Sequence, residues 1–362
     1  MRVQHLSPEL LQDKVAGALL GTAVGDALGL PREGLSRQRA RKLFGPKPLA
    51  HRFLFGRGMI SDDTEHACMV SQALLASGGD PTAFARSLAW RLRFWLLGLP
   101  AGIGLSTLRA ICRLWLGFPV SRSGVRSAGN GPAMRAPLLG AVAGNELDPL
   151  ARLVAISTRI THSDGRAEQG ALVIAMACRY AVTRTSNQTD RNEFFQLILE
   201  QLTEDELKEA LKLVEAALRD DMTAEAVAAK LALNQGVTGY VVHTVAMSIF
   251  CWLRHPGDFR AAVEEVILLG GDTDTTGAIT GALAGATLGA SAIPQEWLNG
   301  IVEWPRSVRW MKRLAARLSS QLLRKKEHAR PLRLFWPGLL LRNVVFTIAV
   351  LCHGFRRLLP PY

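Results

Sequence analysis

The sequence predicts an all-α protein: a single compact multi-helix domain followed by a basic and apolar C-terminal extension. Three observations carry this. Few segments sustain the apolar/polar alternation of a strand. Capping residues stand repeatedly ahead of apolar runs. Two stretches place glycine at every fourth position, Gly17 to Gly29 and Gly277 to Gly289, a spacing that lines one helix face.

Ser7-Pro8-Glu9 is a helix start with serine as cap and proline in the first turn, and the helix is stopped by Pro31. Interior glycine costs roughly 1 kcal/mol of helix propensity against alanine, so two such rows imply two helices in very close approach. If antiparallel, they would bring Glu33 near Asp272 and Asp274. A long basic loop from Arg32 to Met59 delivers the chain to Ser61-Asp62-Asp63-Thr64, the start of a helix running through Leu75. From Pro81 to Phe118 the reading is helical, with Trp90, Trp95, Leu99 and Trp115 as expected core. Ser121 to Gly131 is a Gly/Ser-rich loop, a cradle for phosphate if its N–H groups converge, and leads into a small-residue helix with Gly140 and Gly144. A helix from Leu150 runs into Thr161-His162-Ser163-Asp164, where His162 reads either as a ligand contact or as a cap-region histidine. Residues 183–205 read as a polar surface connection, and 204–218 and 223–233 as amphipathic helices. Gly239-Tyr240 ends a turn before the apolar helix from Val241, and Pro256-Gly257-Asp258 caps the next one.

That helix leads into Leu268 to Gly289, LLGGDTDTTGAITGALAGATLG, around which the rest is organised. Asp272, Asp274 and Thr275 lie where a helix offers free N–H groups and positive dipole potential. One cap needs one oxygen, and adjacent aspartates repel, so Asp62-Asp63 and Asp272/Asp274 supply more carboxylate than capping requires. With Glu33 they offer enough hard oxygen donors for a two-ion site, two Mg²⁺ or Mn²⁺.

The 48% hydrophobic content fits a substantial core, and five scattered cysteines without a CxxC pair argue against structural zinc or a disulfide framework. An N-terminus without an apolar h-region points to a cytoplasmic setting. The net charge of +12 is local: residues 306–362 hold thirteen Lys/Arg against Glu327 alone, so the body is balanced. Gly338 to Gly354 is short for a spanning helix, although Arg342 near one end could snorkel. For residues 319–362 association with an anionic membrane surface is expected narrowly ahead of packing against the domain or a second subunit; nucleic acid ranks below both because the adjoining segment is apolar.

Five motifs, GTAVGDALGLPREG, SDDTEHA, SAGNGPAMR, THSDGRAEQGA and GGDTDTTGAITGALAGA, occur in the order and character of the ADP-ribosylglycohydrolase family, which the chain resembles over roughly residues 12–318. The resemblance implies an all-α fold of that type over residues 1–318, with a two-metal centre in a cleft that binds ADP-ribose. Carried over by motif, Ser61, Asp62, Asp63, Asp272, Asp274 and Thr275 match the metal ligands, and Glu33 a glutamate that gates the site. Ser127, Gly129, Asn130, Gly131 and Met134 match the loop on the diphosphate and distal ribose. His162 matches a histidine contacting ADP-ribose, and Gly239 and Tyr240 a segment lining the nucleotide side. Ser61 stands where many members have threonine, which keeps the hydroxyl. Arg126 and Ala128 replace an aromatic residue and glycine found in some members, so adenine or phosphate contacts are expected to differ.

The activity so implied is metal-dependent hydrolysis of the N- or O-glycosidic bond between ADP-ribose and a modified protein side chain, with Asp62, Asp63 and Glu33 as candidate bases. The alternatives are a non-catalytic ADP-ribose-binding regulatory protein and a hydrolase of a small metabolite such as O-acetyl-ADP-ribose.

Overall fold

The computed structural model describes residues 6–144, 146–185, 190–324 and 329–360; Lys325, Lys326 and Glu327 of the basic stretch lie outside them. The protein is all-α, and its only named strands among the described residues are the two-residue pair Leu35–Ser36 and Gly270–Gly271.

At the centre the Pro8–Gly29 helix lies antiparallel to the Thr273–Leu288 helix. Gly17 faces Gly285, Gly21 faces Gly281, Gly25 faces Gly277, and Gly29 meets Thr273. A methyl group on Gly21 would stand 2.0 Å from the Gly281 carbonyl oxygen, an overlap that only separation of the two backbones could relieve. Every residue from Gly17 to Gly29 and all of the second helix but Leu288 are buried, so neither stretch has an apolar stripe to read. Ser7 caps the first helix, its hydroxyl accepting from Leu10 N at 3.2 Å.

Backbone crossings fix the ends of this pair. Gly34 N donates to Gly271 O at 2.8 Å, Val237 N to Gly270 O at 3.0 Å, and Asp272 N to Val237 O at 2.7 Å. Gly271 has φ +84° and a Cβ there would sit 2.0 Å from Val237 O, so two requirements demand glycine. The Glu33 turn, the Gly239 turn and the Asp272 segment are thereby locked together.

Several expected elements differ. The Arg32–Met59 loop contains a helix, Arg37–Phe44, capped by Ser36. Residues 131–144 form two short helices, Gly131–Met134 and Pro137–Ala141, because Pro137 cannot continue the first; Gly140 packs on Ala175 O while Gly144 faces open space. The expected surface connection holds the Arg191–Leu199 helix, which buries Phe194, Phe195 and Ile198. Of the four expected core residues only Trp95 is buried; Trp90, Leu99 and Trp115 are exposed.

The Val308–Arg324 helix runs through residue 318, and the chain then returns as a 22-residue helix, Trp336–Arg357, docked on the body. Its inner face buries Phe346 at 5.1 Å from Phe53, and Asn343 Nδ2 donates to Gly98 O at 2.6 Å. Arg342 does not snorkel. It is buried, paired through two nitrogens with Glu303, and donates to Ile60 O.

Candidate active site

The two helix starts with doubled acid meet in one cleft of about 220 Å³. Asp62 and Asp63 open the Asp62–Ser77 helix; Asp274 lies in the first turn of the helix that follows Asp272. The antiparallel glycine pair brings them together, as Gly29 lies against Thr273 and the chain after it carries Glu33 to the rim. Opposite lie Ser127, Gly129, Asn130, Gly131, Met134 and His162.

Hydrogen bonds tie the walls. Asn130 Nδ2 donates to Asp272 Oδ2 at 2.7 Å and to Thr244 Oγ1 at 2.9 Å, while Asn130 N bonds to Gly239 O at 3.0 Å. The Ser61 and Thr275 hydroxyls both donate to Asp63 Oδ2, at 3.1 and 3.3 Å. Asp63 Oδ1 is buried and receives no hydrogen bond. Asp26 lies beneath, accepting from Ser61 N at 3.0 and 2.9 Å and from Thr64 through its backbone and hydroxyl.

These carboxyls share an electrostatic predicament. Burial pushes Asp62, Asp63 and Asp274 well above the usual carboxylate range, and their acidic neighbours push further. Burial also lifts Asp26 to about 7 against the pull of its hydrogen bonds. Glu33 keeps exposed surface at the rim, yet crowding protein and the Asp272 charge raise its carboxyl, with Arg357 opposing. Arg135, a buried cation that feels the Asp62 charge, is bound elsewhere: it donates to Ser157 O and Thr161 Oγ1, both at 2.6 Å. His162 is buried with Nδ1 2.9 Å from Thr161 Oγ1, and burial together with Arg135 drives its pKa down to about 3, so its imidazole is neutral at physiological pH.

The donor set is all oxygen, of the hard type that Mg²⁺ and Mn²⁺ prefer. Among the described residues no three His, Cys, Asp or Glu side chains already form a metal cage. The fit rests instead on the unpartnered Asp63 Oδ1 and on aspartates that, among the described residues, form no ion pair with a protein cation.

A family model for ADP-ribosylglycohydrolases matches residues 7–329. The chain belongs to the ADP-ribosylglycohydrolase family. It is 31% identical over 308 residues to an uncharacterized protein of Archaeoglobus fulgidus, covering 80% of this chain and 92% of that one. It is 28% identical over 298 residues to an ADP-ribosyl-[dinitrogen reductase] glycohydrolase of Rhodospirillum rubrum, covering 80% and 90%. An ADP-ribosylarginine hydrolase of Pseudomonas putida is 25% identical over 316 residues, covering 85% and 79%. A solved structure described as an ADP-ribosylglycohydrolase-related protein complex superposes with a TM-score of 0.65 at 29% identity, covering 86% of this chain and 99% of that one.

Most of the expected site residues line the cleft, and three do not. Ser61 sits behind Asp63, its hydroxyl accepting from Asp63 N at 3.2 Å. Gly239 backs Asp272; a Cβ there would lie 3.1 Å from Asp272 Oδ2. Tyr240 spends its hydroxyl on Arg166, at 3.1 Å, and on Glu206, at 2.5 Å. Sequence reasoning missed a wall segment, since Gly102, Gly104, Leu105, Ser106 and Thr107 also line the cleft. The available signal was a second glycine-rich turn before a helix, Ala101-Gly102-Ile103-Gly104 ahead of Leu105–Trp115.

Proposed function

We propose that this family member is a metal-dependent hydrolase that cleaves the bond from the ribose anomeric carbon of ADP-ribose to a side-chain nitrogen or oxygen of a modified protein. The observation that carries the reading is a set of buried and half-buried aspartates that form no ion pair among the described residues, Asp62, Asp63 and Asp274, opposite a glycine-rich loop and a neutral histidine. The named activities of the R. rubrum and P. putida relatives support a protein substrate.

Ser61, Asp62, Asp63, Asp272, Asp274 and Thr275 would hold two Mg²⁺ or Mn²⁺. Bound there, such ions would supply charge neutralisation, anchoring of the ribose hydroxyls and a lowered pKa for attacking water. The chain's own groups do the rest. Ser127 to Gly131 bring small side chains to the diphosphate, while the Gly129 and Asn130 N–H groups hold the loop in shape by bonding to Ser127 Oγ and Gly239 O. His162, held by Thr161, offers a neutral hydrogen-bonding edge where a cation would compete with the site's ions. Asp62, Asp63 or Glu33 orients the attacking water and takes its proton. Departure of the aglycone leaves positive charge on the sugar, which the residual negative field of the cleft stabilises.

The test is release of free ADP-ribose from ADP-ribosyl-arginine and ADP-ribosyl-serine peptides, with and without Mg²⁺ or Mn²⁺. Metal-dependent release from one of them is expected and names the linkage. Tight ADP-ribose binding without release from either peptide would overturn the reading.

A further inference from the structure

We propose that the outward face of the C-terminal helix docks onto an anionic lipid bilayer, with the helix lying in the interface and not crossing it. Trp336–Arg357 is, among the described residues, the one helix long and apolar enough to cross a membrane by length and composition. Its inner face forbids that in this fold. Arg342 holds Glu303 and Ile60 O, Asn343 holds Gly98 O, His353 Nε2 lies 2.8 Å from Phe53 O, and Arg357 donates to Pro31 O at 3.1 Å. Threading the helix through hydrocarbon would strip every one of these partners from a polar group.

The opposite face is apolar and uncovered. Leu341, Val344, Ile348, Leu351 and Phe355 recur at three- and four-residue spacing, and each is more than half exposed. Leu97 and Leu99, also exposed, flank the Gly98 that Asn343 grips, so further exposed apolar side chains lie where the helix docks. At its N-terminal end the exposed rings of Trp304 and Phe335 meet at 5.5 Å, amphipathic and aromatic chemistry suited to a headgroup boundary. Large apolar side chains gathered on one exposed face mark an interaction surface, where singly scattered ones would not.

Charge selects the occupant. Residues 328–362 contain no Asp or Glu, and exposed Arg330, Arg333 and Arg356 bracket the apolar run. A second copy would bring the same positive field against itself, whereas acyl chains under anionic headgroups satisfy both the apolar face and its arginine borders. Arg357 reaches Pro31 O, two residues before Glu33, so docking would seat the cleft rim close to the headgroups.

The test is co-sedimentation of the full chain with vesicles of phosphatidylcholine alone and of equal parts phosphatidylcholine and phosphatidylglycerol. Binding to the anionic vesicles should exceed binding to neutral ones by roughly tenfold and weaken with salt. Ile348→Glu with Phe355→Glu should lose at least about tenfold in vesicle binding while the melting temperature holds. Should that pair misfold, Arg330→Glu with Arg333→Glu probes the charged border instead and should lower anionic-vesicle binding. Failure of the folded wild-type chain to bind either vesicle would overturn the proposal. So would wild-type self-association that the same substitutions abolish, which would assign the face to a second copy.

Discussion

Two groups of buried acids lie within one turn of the same helix, and they are solved in opposite ways. Asp62 and Asp63 face the cleft; Glu65, two residues on, faces away from it. Burial alone would raise the Glu65 carboxyl, but Arg306, Arg342 and the Trp95 indole N–H, at 2.5 Å, hold it below its ordinary range. Glu303 shares Arg342 and accepts from Ile60 N at 3.0 Å. That cluster sets two arginines against two carboxylates within the chain, although burial still holds the Glu303 carboxyl above its ordinary range. Asp62, Asp63 and Asp274 have no such partner, and burial with mutual repulsion drives all three up. Burial of an acid is therefore not the mark of function here; burial without internal compensation is, because the missing charge must come from outside.

The comparison breaks most visibly at Arg342. Arg342→Met should cost about 3–5 kcal/mol in urea denaturation, since Glu303 stays buried without its main partner. Adding Glu303→Gln should recover part of the loss. A cost below about 1 kcal/mol would mean that the cluster is not the internally balanced pair described. Asp274→Asn should behave in the opposite way, leaving the fold as stable or more stable in chelator because it removes one repelling charge. Its turnover should nevertheless fall roughly 10²- to 10³-fold, the cost of losing one group from a charge-stabilising site. A destabilised variant with full activity would make the cleft aspartates structural.

The same contrast explains what the sequence disclosed. Cleft carboxylates sit at helix starts, so Ser61-Asp62-Asp63 and Asp272/Asp274 stand out locally, and the matched glycine rows announce their meeting. The partners of Arg342 and Arg135 were not legible because they are remote in sequence: Glu303 lies 39 residues away, and His66, beside Arg135, 69. Apolar content misled at Trp90 and Trp115, whose rings meet at 6.4 Å on the surface instead of entering the core. The Arg37–Phe44 helix escaped because only Ala40 is buried, which leaves no apolar period to detect.

The smallest effect sharpens the comparison through pH. Asp26, raised from 3.8 to about 7, prefers its proton in the fold, so its contribution is fully present below pH 3.8 and is lost as pH rises towards 7. Asp62, Asp63 and Asp274 shift in the same direction. Glu65 is lowered from 4.5 and works in reverse: its contribution is present above 4.5 and lost as pH falls through its folded value. In chelator the chain should therefore melt highest in mildly acid solution and lose on the order of a few degrees between pH 5 and pH 8. Mg²⁺ or Mn²⁺ should remove that alkaline slope, because a bound cation neutralises the carboxylates that the proton no longer covers. The acid limb should not respond, since Glu65 already has its arginines. Calorimetry at both pH values decides it: a cation-induced rise of equal size at pH 5 and pH 8 would break the link between the ions and these aspartates.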